Sequence, residues 1–271
     1  MQNGTFNAWP IEDTFGICRV SLLPVYASAS IGSGLVSQLL YGETYRLLKV
    51  SEDRQWLMIE AERFAGSGWI RAVQHDSLGE EAFHRLQQND FQVTLSAIVT
   101  IQLSGRQLNL LPGSNLYFSD NELFDLRESV QIQGAWKSFS EKYNRDQLVN
   151  LATAFVNTPL FYGGRSLYGL SMAAFVHLVY KQAGYTVPAY LSSLLDYGTH
   201  IDHAELLPGD LVVFKNLAQI PDRVGMYLGN EELIEMHGAL VITPFNPDKA
   251  VAKRNISGRN QVHEFIKLVS L

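Results

Sequence analysis

Cysteine is nearly absent from this chain, and its single cysteine, Cys18, excludes an internal disulfide and a cysteine-rich zinc site. No run of about 18 apolar residues occurs, so the sequence predicts no membrane-spanning helix. Lys and Arg never stand more than two in a row and the net charge is −6, which argues against a nucleic-acid partner. The first residues lack the basic start and continuous apolar segment of an export signal, so we expect a cytoplasmic protein.

The composition, with 46% apolar and 18% charged residues over 271 positions, is that of a globular protein with two or three domains. Short alternating strands predict a small antiparallel barrel at residues 15–75. A second β-rich unit with a leading helix is predicted at 76–139. Residues 140–271 place two helices before a series of strands, which predicts an α+β unit. We expect neither a cofactor nor a metal.

Two residues that could carry chemistry are predicted to be structural. Cys18 lies in the alternating strand pattern GICRVSL, where a buried core thiol is far commoner than a nucleophile. His177 lies on an Ala-, Val- and Leu-rich helix surface, where a packed or hydrogen-bonded histidine is far commoner than a proton shuttle.

The segment YGGRSLYGLSMAAFVHLVYKQAGY at 162–185 is a glycine turn followed by an apolar helix. A helix N-terminus collects unpaired N–H groups and favours an anion, and enzymes often place a thiolate there. Met172 stands at that place, and a thioether neither ionises nor attacks. Ser171 beside it is predicted to be the N-cap; neighbouring helical residues point about 100° apart, so its side chain would not face the same way.

The order of motifs resembles the NlpC/P60 cysteine peptidases, which have a papain-like α+β fold and cleave bacterial cell-wall peptides. The residues that carry the resemblance are GGRSLYGLSMAAF at 163–175, LLPGDLVVF at 206–214, RVGMYLGNEELIEMHG at 223–238 and HEFIKLVSL at 263–271. The N-terminal strands, FGICRVSLLPVYAS at 15–28 among them, resemble the bacterial SH3-like (SH3b) barrels that precede this domain in a subgroup acting on free murein peptides. The resemblance therefore implies SH3b-like barrels followed by a papain-like domain.

The resemblance also implies which positions would carry the catalytic groups. The nucleophilic cysteine of the family falls on Met172, and the general-base histidine falls on Arg223, which stays protonated at neutral pH. The third polar residue falls on Glu235. A tyrosine that helps to stabilise the oxyanion falls on Leu160, which has no donor. On this alignment all four roles are unfilled.

The barrel-bearing subgroup uses an acidic residue and a tyrosine of the first barrel to hold the free amine of the substrate. These positions fall on Gly34 and Gly66 in this chain. The resemblance therefore predicts that recognition of the amine has been lost together with the chemistry.

Arg223 and Glu235 replace two family residues that touch each other, so we predict an ion pair between them across neighbouring strands, with Met172 nearby. His237 lies two residues after Glu235, on the same strand face, so a Glu235–His237 pair is an alternative arrangement of the site. The run His200, Asp202, His203 has the residue types of a metal site, but its polar-loop context does not favour one.

These observations predict a catalytically inactive NlpC/P60 homologue that binds a peptide-like or cell-wall-derived ligand, or a protein partner. Its ligand-cleft candidates are Ser171, Arg223, Glu235, His237, Gly34 and Gly66. Two alternatives stay open: a hydrolase of murein peptides or other amides that uses a rearranged site, and a scaffold with no small ligand.

Overall fold

The N-terminal part of the molecule consists of short strands in which buried and partly exposed residues alternate. The computed structural model describes residues 15–61, 66–88, 90–103, 106–118, 131–215, 221–252 and 261–269. The prediction about an export signal concerns residues 1–14, and these residues lie outside the described ranges. The first strands are β1 Phe15–Ile17, β2 Leu22–Tyr26, β3 Leu35–Leu40, β4 Thr44–Val50, β5 Trp56–Ala61, β6 Gly66–Arg71 and β7 Ser77–Leu78.

These strands form a seven-stranded sheet in the order β3-β2-β6-β5-β4-β1-β7. The SH3b-like barrel is not confirmed, because among the described residues no ladder joins the edge strands β3 and β7 and closes the sheet. At the β3 edge, Gln38 accepts two hydrogen bonds from Arg165, which lies far along the chain. The backbone N–H of Arg165 donates to the side-chain oxygen of Gln38 at 2.8 Å, and Arg165 Nη1 donates to the backbone carbonyl of Gln38 at 2.5 Å.

Helix α1, Glu80–Gln88, connects this sheet to a second β-rich region. Its buried face of Ala82, Phe83 and Leu86 packs on β1, where the rings of Phe15 and Phe83 stack 4.2 Å apart. Two three-stranded sheets follow, in the orders β10-β9-β12 and β11-β8-β13. Their strands are β8 Gln92–Thr94, β9 Val99–Leu103, β10 Arg106–Leu110, β11 Asn115–Leu116, β12 Gln131–Gln133 and β13 Trp136–Ser138.

The C-terminal part, residues 140–269, places its main helices before a six-stranded antiparallel sheet, so the predicted α+β order is found there. The helices are α2 Arg145–Thr153, α3 Met172–Gln182, α4 Leu191–Tyr197 and α5 Pro247–Ala252. The hairpin β14 Arg165–Ser166 and β15 Gly169–Leu170 precedes α3. The sheet has the order β16-β21-β17-β18-β19-β20, with β16 Thr199–Ile201, β17 Leu211–Lys215, β18 Pro221–Gly229, β19 Glu232–Met236, β20 Leu240–Pro244 and β21 Gln261–Lys267.

Packing of α3 against the sheet forms the largest apolar core. Phe175 and Val179 are fully buried in one cluster with Val213, Val224 and Met226 of the central strands. Each such side chain contributes about 1.5–3 kcal/mol when it is removed from water. This core fixes the start of α3 relative to β18 and β19.

The helices of the described residues are all too short or too polar to cross a membrane.

Candidate functional site

The glycine turn before α3 brings the N-terminal sheet against the C-terminal part. Gly163 has a φ of +76°, and a Cβ at this position would lie 2.6 Å from the carbonyl oxygen of Leu35. Only glycine combines this backbone conformation with such a close approach. The turn therefore seats β3 next to the beginning of α3.

Ser171 is the N-cap of α3, as the sequence predicted. Its Oγ accepts a hydrogen bond of 3.3 Å from the N–H of Ala174, and its extended φ and ψ are those of a capping residue. Met172 is the first helical residue and is partly buried. The hydroxyl of Ser171 thus satisfies a helix donor.

A cavity of about 460 Å³ lies at the N-terminus of α3, between this helix, β3 and β18. Small-molecule sites in proteins commonly have volumes of about 300–1,000 Å³. The cavity is lined by Val36, Ser37, Leu160, Tyr162, Gly163, Gly164, Arg165, Ser171, Met172, Ala173, Ala174, Ala189, Tyr190, Leu191, Arg223, Val224 and Met236. The predicted positions Leu160, Ser171, Met172 and Arg223 therefore share one cavity.

The predicted ion pair between Arg223 and Glu235 is present. Arg223 Nη1 lies 3.1 Å from Glu235 Oε2, and the two side chains come from β18 and β19, which are neighbours in the sheet. The angles at Oε2 do not satisfy hydrogen-bond geometry, so this contact is an electrostatic one. The guanidinium also lies 3.9 Å from the centre of the Phe214 ring, a cation–π distance.

His237 and Thr243 complete the contacts of the Glu235 carboxylate. His237 Nε2 lies 3.0 Å from Glu235 Oε1, and Thr243 donates a hydrogen bond of 2.8 Å to the same oxygen. Glu235 is buried, whereas His237 is exposed and does not line the cavity. The Glu235–His237 pair considered from the sequence thus coexists with the Arg223 ion pair.

Leu160 lies on the cavity wall as a half-buried apolar side chain. Its backbone N–H donates a hydrogen bond of 2.7 Å to Gly238, which ties the segment before the glycine turn to the end of β19. Its side chain offers no donor toward the cavity.

Gly66 and Gly34, the predicted amine-binding positions, have different surroundings. A Cβ at Gly66 would lie 2.1 Å from the hydroxyl oxygen of Tyr190, whereas a Cβ at Gly34 would have no atom within 4 Å. Neither glycine lines the cavity, but Tyr190 does. Because residue 66 has no side chain, Tyr190 occupies the space in which that side chain would lie.

Arg165 joins the cavity wall to a buried charge cluster between the two parts of the chain. Its guanidinium donates two hydrogen bonds to Glu43, at 2.8 and 3.0 Å, and Lys181 donates another at 2.8 Å. All three side chains are at most 2% exposed. Burial alone would raise the pKa of Glu43, but the charges and hydrogen bonds of Arg165 and Lys181 outweigh it and hold that pKa at about 2.

Burial acts in the opposite sense on Lys181. It lowers the pKa of Lys181 to about 8 even though Glu43 favours the charged amine. Arg165, whose charge is permanent and whose contact is bidentate, is therefore the main partner that keeps Glu43 ionised. Lys181 donates a further hydrogen bond to Glu43, but removal of its amine from water has a free-energy cost.

His177 and Cys18 are structural, as predicted. Burial, followed by the charges of Arg165 and Lys181, lowers the pKa of His177 to about 3, so the imidazole is neutral and its Nδ1 lies 2.8 Å from the carbonyl oxygen of Val187. Burial raises the pKa of the Cys18 thiol to about 12, and the thiol donates to the carbonyl of Val20 at 3.2 Å. Neither is poised for proton transfer or attack.

His203, which lies before β17, contacts two carboxylates, those of Asp202 and Asp248. Asp202 caps a short 3-10 helix at 203–205, and His203 Nδ1 lies 2.7 Å from its carboxylate. Across the described ranges no three metal-ligating side chains come together.

Sequence reasoning missed Arg165 and Tyr190 as cavity residues. Arg165 follows the glycine turn directly, but its partner Glu43 is 122 residues away, so no local pattern relates them. Tyr190 is the residue just before α4, and the sequence around it gave no functional signal. Only the tertiary fold brings it to Gly66.

Comparison with known proteins identifies a family domain in the C-terminal part of the chain. Residues 157–257 match the model of the NlpC/P60 family, and the chain contains an NlpC/P60 family domain at these positions. It is similar to gamma-D-glutamyl-L-lysine dipeptidyl-peptidase of Bacillus subtilis, with 21% identity over 73% of this chain and 71% of the relative. It is also similar to gamma-DL-glutamyl hydrolase of B. subtilis, with 36% identity over 29% of this chain and 19% of that relative.

Solved structures show the same fold over most of the chain. An NlpC/P60 family protein from Bacillus cereus superimposes with a TM-score of 0.72 and 14% identity, covering 94% of this chain and 100% of that one. An NlpC/P60 endopeptidase from Photobacterium damselae gives a TM-score of 0.64 and 11% identity, covering 94% and 72%. These likenesses extend across the N-terminal sheets as well as the family domain.

Proposed function

We propose that this chain is a catalytically inactive NlpC/P60 homologue that binds a peptide-like, cell-wall-derived ligand in the cavity at the start of α3. The observation that carries the proposal is the open cavity of about 460 Å³ whose wall contains Met172, Leu160 and Arg223 at the positions assigned to chemistry. None of these side chains can act as nucleophile or general base near neutral pH. The cavity supports binding, and its residues do not support peptide cleavage.

The ion pair of Arg223 supports the same proposal. Arg223 and Glu235 contact each other at 3.1 Å and the carboxylate is buried, so the place assigned to the catalytic base holds a structural charge pair. A buried carboxylate without a partner would be costly, and Arg223 supplies the opposite charge. The pair therefore supports a site that stabilises the fold without peptidase chemistry.

The N-terminal sheets are part of the proposal. We propose that they are SH3b-like and that they complete the binding site, since Val36 and Ser37 of β3 line the cavity. The dipeptidyl-peptidase relatives and the structural match over 94% of this chain support this arrangement.

A binding experiment tests the proposal. Isothermal titration calorimetry with the probe L-alanyl-γ-D-glutamate should give a saturable signal with the wild-type chain. Ala173→Trp, which fills the cavity from the first turn of α3, should abolish the signal while the melting temperature stays within a few degrees. Val73→Trp, at an exposed residue outside the cavity wall, is the matched control and should bind normally. Absence of binding to the wild-type chain would contradict the proposal.

The second candidate is a hydrolase with a rearranged site, and the contact of 3.0 Å between Glu235 and His237 is the observation that favours it. A carboxylate–histidine pair orients a general base in many hydrolases. His237, however, does not line the cavity, and Ser171 Oγ is engaged as a helix cap. Hydrolysis of the probe that disappears in Glu235→Gln would establish this candidate.

A further inference from the structure

Three aromatic side chains are exposed on the turn and hairpin that precede α3. Tyr162 is 79% exposed, Tyr168 is 72% exposed and Phe161 is 50% exposed. Large exposed aromatic residues that lie together commonly mark a binding surface. Tyr162 also lines the cavity at the start of α3, so this surface continues the proposed binding site.

Contacts within the turn and the hairpin bring the three residues together. The backbone N–H of Phe161 donates a hydrogen bond of 3.1 Å to the carbonyl of Leu170. A Cβ at Gly169, the residue after Tyr168, would lie 2.6 Å from the Cβ of Phe161, and Tyr162 follows Phe161 in the chain. The three aromatic residues are therefore neighbours in space, and we call them the aromatic rim.

The loop between β2 and β3 lies against the same turn. A Cβ at Gly163 would lie 2.6 Å from the carbonyl oxygen of Leu35, so the residue after Tyr162 touches the first residue of β3. The loop, ASASIGSG at 27–34, contains three serines, and two of them are exposed. A serine hydroxyl both donates and accepts hydrogen bonds. The aromatic rim thus has a hydroxyl-bearing loop beside it.

The surface formed by the aromatic rim and this loop is neutral. In the segments 27–35 and 160–170 the only charged residue is Arg165, whose side chain is buried and paired with Glu43. Such a surface lacks the charges that bind a phosphate or an ionised peptide end. It fits a sugar, which offers hydroxyl groups at its edge and apolar C–H groups on the face of its ring.

The two sides of the cavity toward the N-terminal sheet differ in the space that they leave. At Gly34 a Cβ would have no atom within 4 Å, whereas at Gly66 the side chain of Tyr190 fills the space. Gly34 directly precedes β3, whose residue Val36 lines the cavity. A ligand that extends from the cavity therefore finds room on the side of Gly34, next to the aromatic rim.

We propose that the aromatic rim binds a sugar ring that is joined through an amide bond to the amine end of the peptide in the cavity. The ring of Tyr162 packs on the C–H face of the sugar, and the serine hydroxyls of the loop at 27–34 bond to the sugar hydroxyls. This inference rests on the proposed binding function and extends its ligand from a peptide to a sugar-linked peptide.

Three probes with one peptide in common test the inference in the wild-type chain. They are L-alanyl-D-isoglutamine, its N-acetyl derivative and N-acetylmuramyl-L-alanyl-D-isoglutamine, and calorimetry gives their dissociation constants. The N-acetyl probe carries the amide without the sugar, so its comparison with the muramyl probe isolates the sugar. The muramyl probe should bind at least about fivefold tighter than the N-acetyl probe, as expected for one stacked ring.

Tyr162→Ala tests the residue itself. Because Tyr162 also lines the cavity, the readout is the ratio of the dissociation constants of the N-acetyl and muramyl probes, and this ratio should fall below about twofold. Tyr162→Phe keeps the ring and should keep the ratio. Tyr197→Ala, at an exposed tyrosine outside the cavity wall, is the matched control and should also keep it. A thermal melt establishes that each variant is folded.

The outcomes distinguish this inference from the proposed function. Equal binding of the muramyl and N-acetyl probes would overturn the sugar site, leave peptide binding intact and leave the aromatic rim to a protein partner. An unchanged ratio in Tyr162→Ala would overturn the role of the aromatic rim. Failure of all three probes to bind would overturn both proposals.

Discussion

Among single residues of the candidate site, Glu235 contacts three polar side chains. It lies 3.1 Å from Arg223 and 3.0 Å from His237, and it accepts a hydrogen bond from Thr243. Glu235 is 6% exposed and Arg223 is 24% exposed, so the pair is screened less than a surface salt bridge. Removing either partner leaves the other charge partly buried.

A double-mutant cycle of Glu235→Gln and Arg223→Gln measures this contact. Each single change should lower the free energy of unfolding by about 1–3 kcal/mol, and the double change should cost about 1–2 kcal/mol less than their sum. Urea unfolding provides the values. Glu232→Gln, at an exposed residue of the same strand, is the control and should have an effect below about 0.5 kcal/mol. Strictly additive effects would show that Arg223 and Glu235 are not coupled.

Gly66 carries a second residue-scale prediction. Its φ is +69°, so alanine there costs about 1–3 kcal/mol in backbone strain, and its Cβ would also collide with the side chain of Tyr190. In thermal or urea unfolding, Gly66→Ala should be at least about 1 kcal/mol less destabilising in a Tyr190→Ala background than in the wild-type chain. An equal cost in both backgrounds would mean that Tyr190 does not occupy that space.

Helix α3 is the element that positions the site. Its first turn forms part of the cavity wall, and its following turns are buried in the largest core. The strength of the first turn depends on Ser171, whose hydroxyl caps the N–H of Ala174. A second helix, α2, begins with a capping box of Asn144 and Gln147, which provides an independent reference for cap strength.

Ser171→Ala should therefore lower the free energy of unfolding by about 1 kcal/mol, similar to Asn144→Ala. It should leave the affinity for L-alanyl-γ-D-glutamate within about threefold of wild type, because the hydroxyl is directed at the helix. Urea unfolding and calorimetry check the two values. A variant of unchanged stability with abolished binding or turnover would instead assign Ser171 to the chemistry.

Local rules account for the elements that could be predicted from sequence. The Ser171 cap, the glycine turn and the buried Cys18 follow from residue type and short spacing, whereas the pairing of Arg223 with Glu235 was predicted from the resemblance to the NlpC/P60 family. The barrel was not confirmed, because strand alternation predicts strands but does not say which edges pair. Tyr190 and Arg165 were missed because their contacts with Gly66 and Glu43 connect distant parts of the chain.

Across the whole molecule, the buried cluster of Glu43, Arg165 and Lys181 connects the N-terminal sheet to the NlpC/P60 domain. Glu43 follows β3, whereas Arg165 and Lys181 belong to the elements that build the cavity. The cluster therefore holds β3 in the place where Val36 and Ser37 line the cavity. Loss of the cluster should loosen the two parts relative to each other.

The pKa of Glu43 makes this connection sensitive to acid. Its value is about 2 in the folded chain against 4.5 for an ordinary glutamate. A lowered folded-state pKa means that the stabilisation is complete above about pH 4.5 and is lost as pH falls toward 2. At about 1.4 kcal/mol per pH unit the loss amounts to roughly 3 kcal/mol at most.

Glu43→Gln should therefore flatten the dependence of unfolding free energy on pH between about 4.5 and 2.5. Arg165→Met should flatten it more than Lys181→Met, because the permanent charge of Arg165 is the main partner of Glu43. Urea unfolding at each pH gives the comparison, and Asp202→Asn, at a carboxylate outside the cluster, is the control. Equal slopes in wild type and Glu43→Gln would show that the cluster does not control acid stability.

The claim that this NlpC/P60 domain binds without cleaving is tested most directly by mass spectrometry of the probe after binding. The wild-type chain is incubated with L-alanyl-γ-D-glutamyl-L-lysine at a saturating concentration, next to the Glu235→Gln and Ser171→Ala variants and a buffer control. We expect the tripeptide to be recovered intact from the wild-type chain, with no product above the buffer level. Release of lysine by the wild-type chain that survives repurification and disappears in Glu235→Gln would contradict the account.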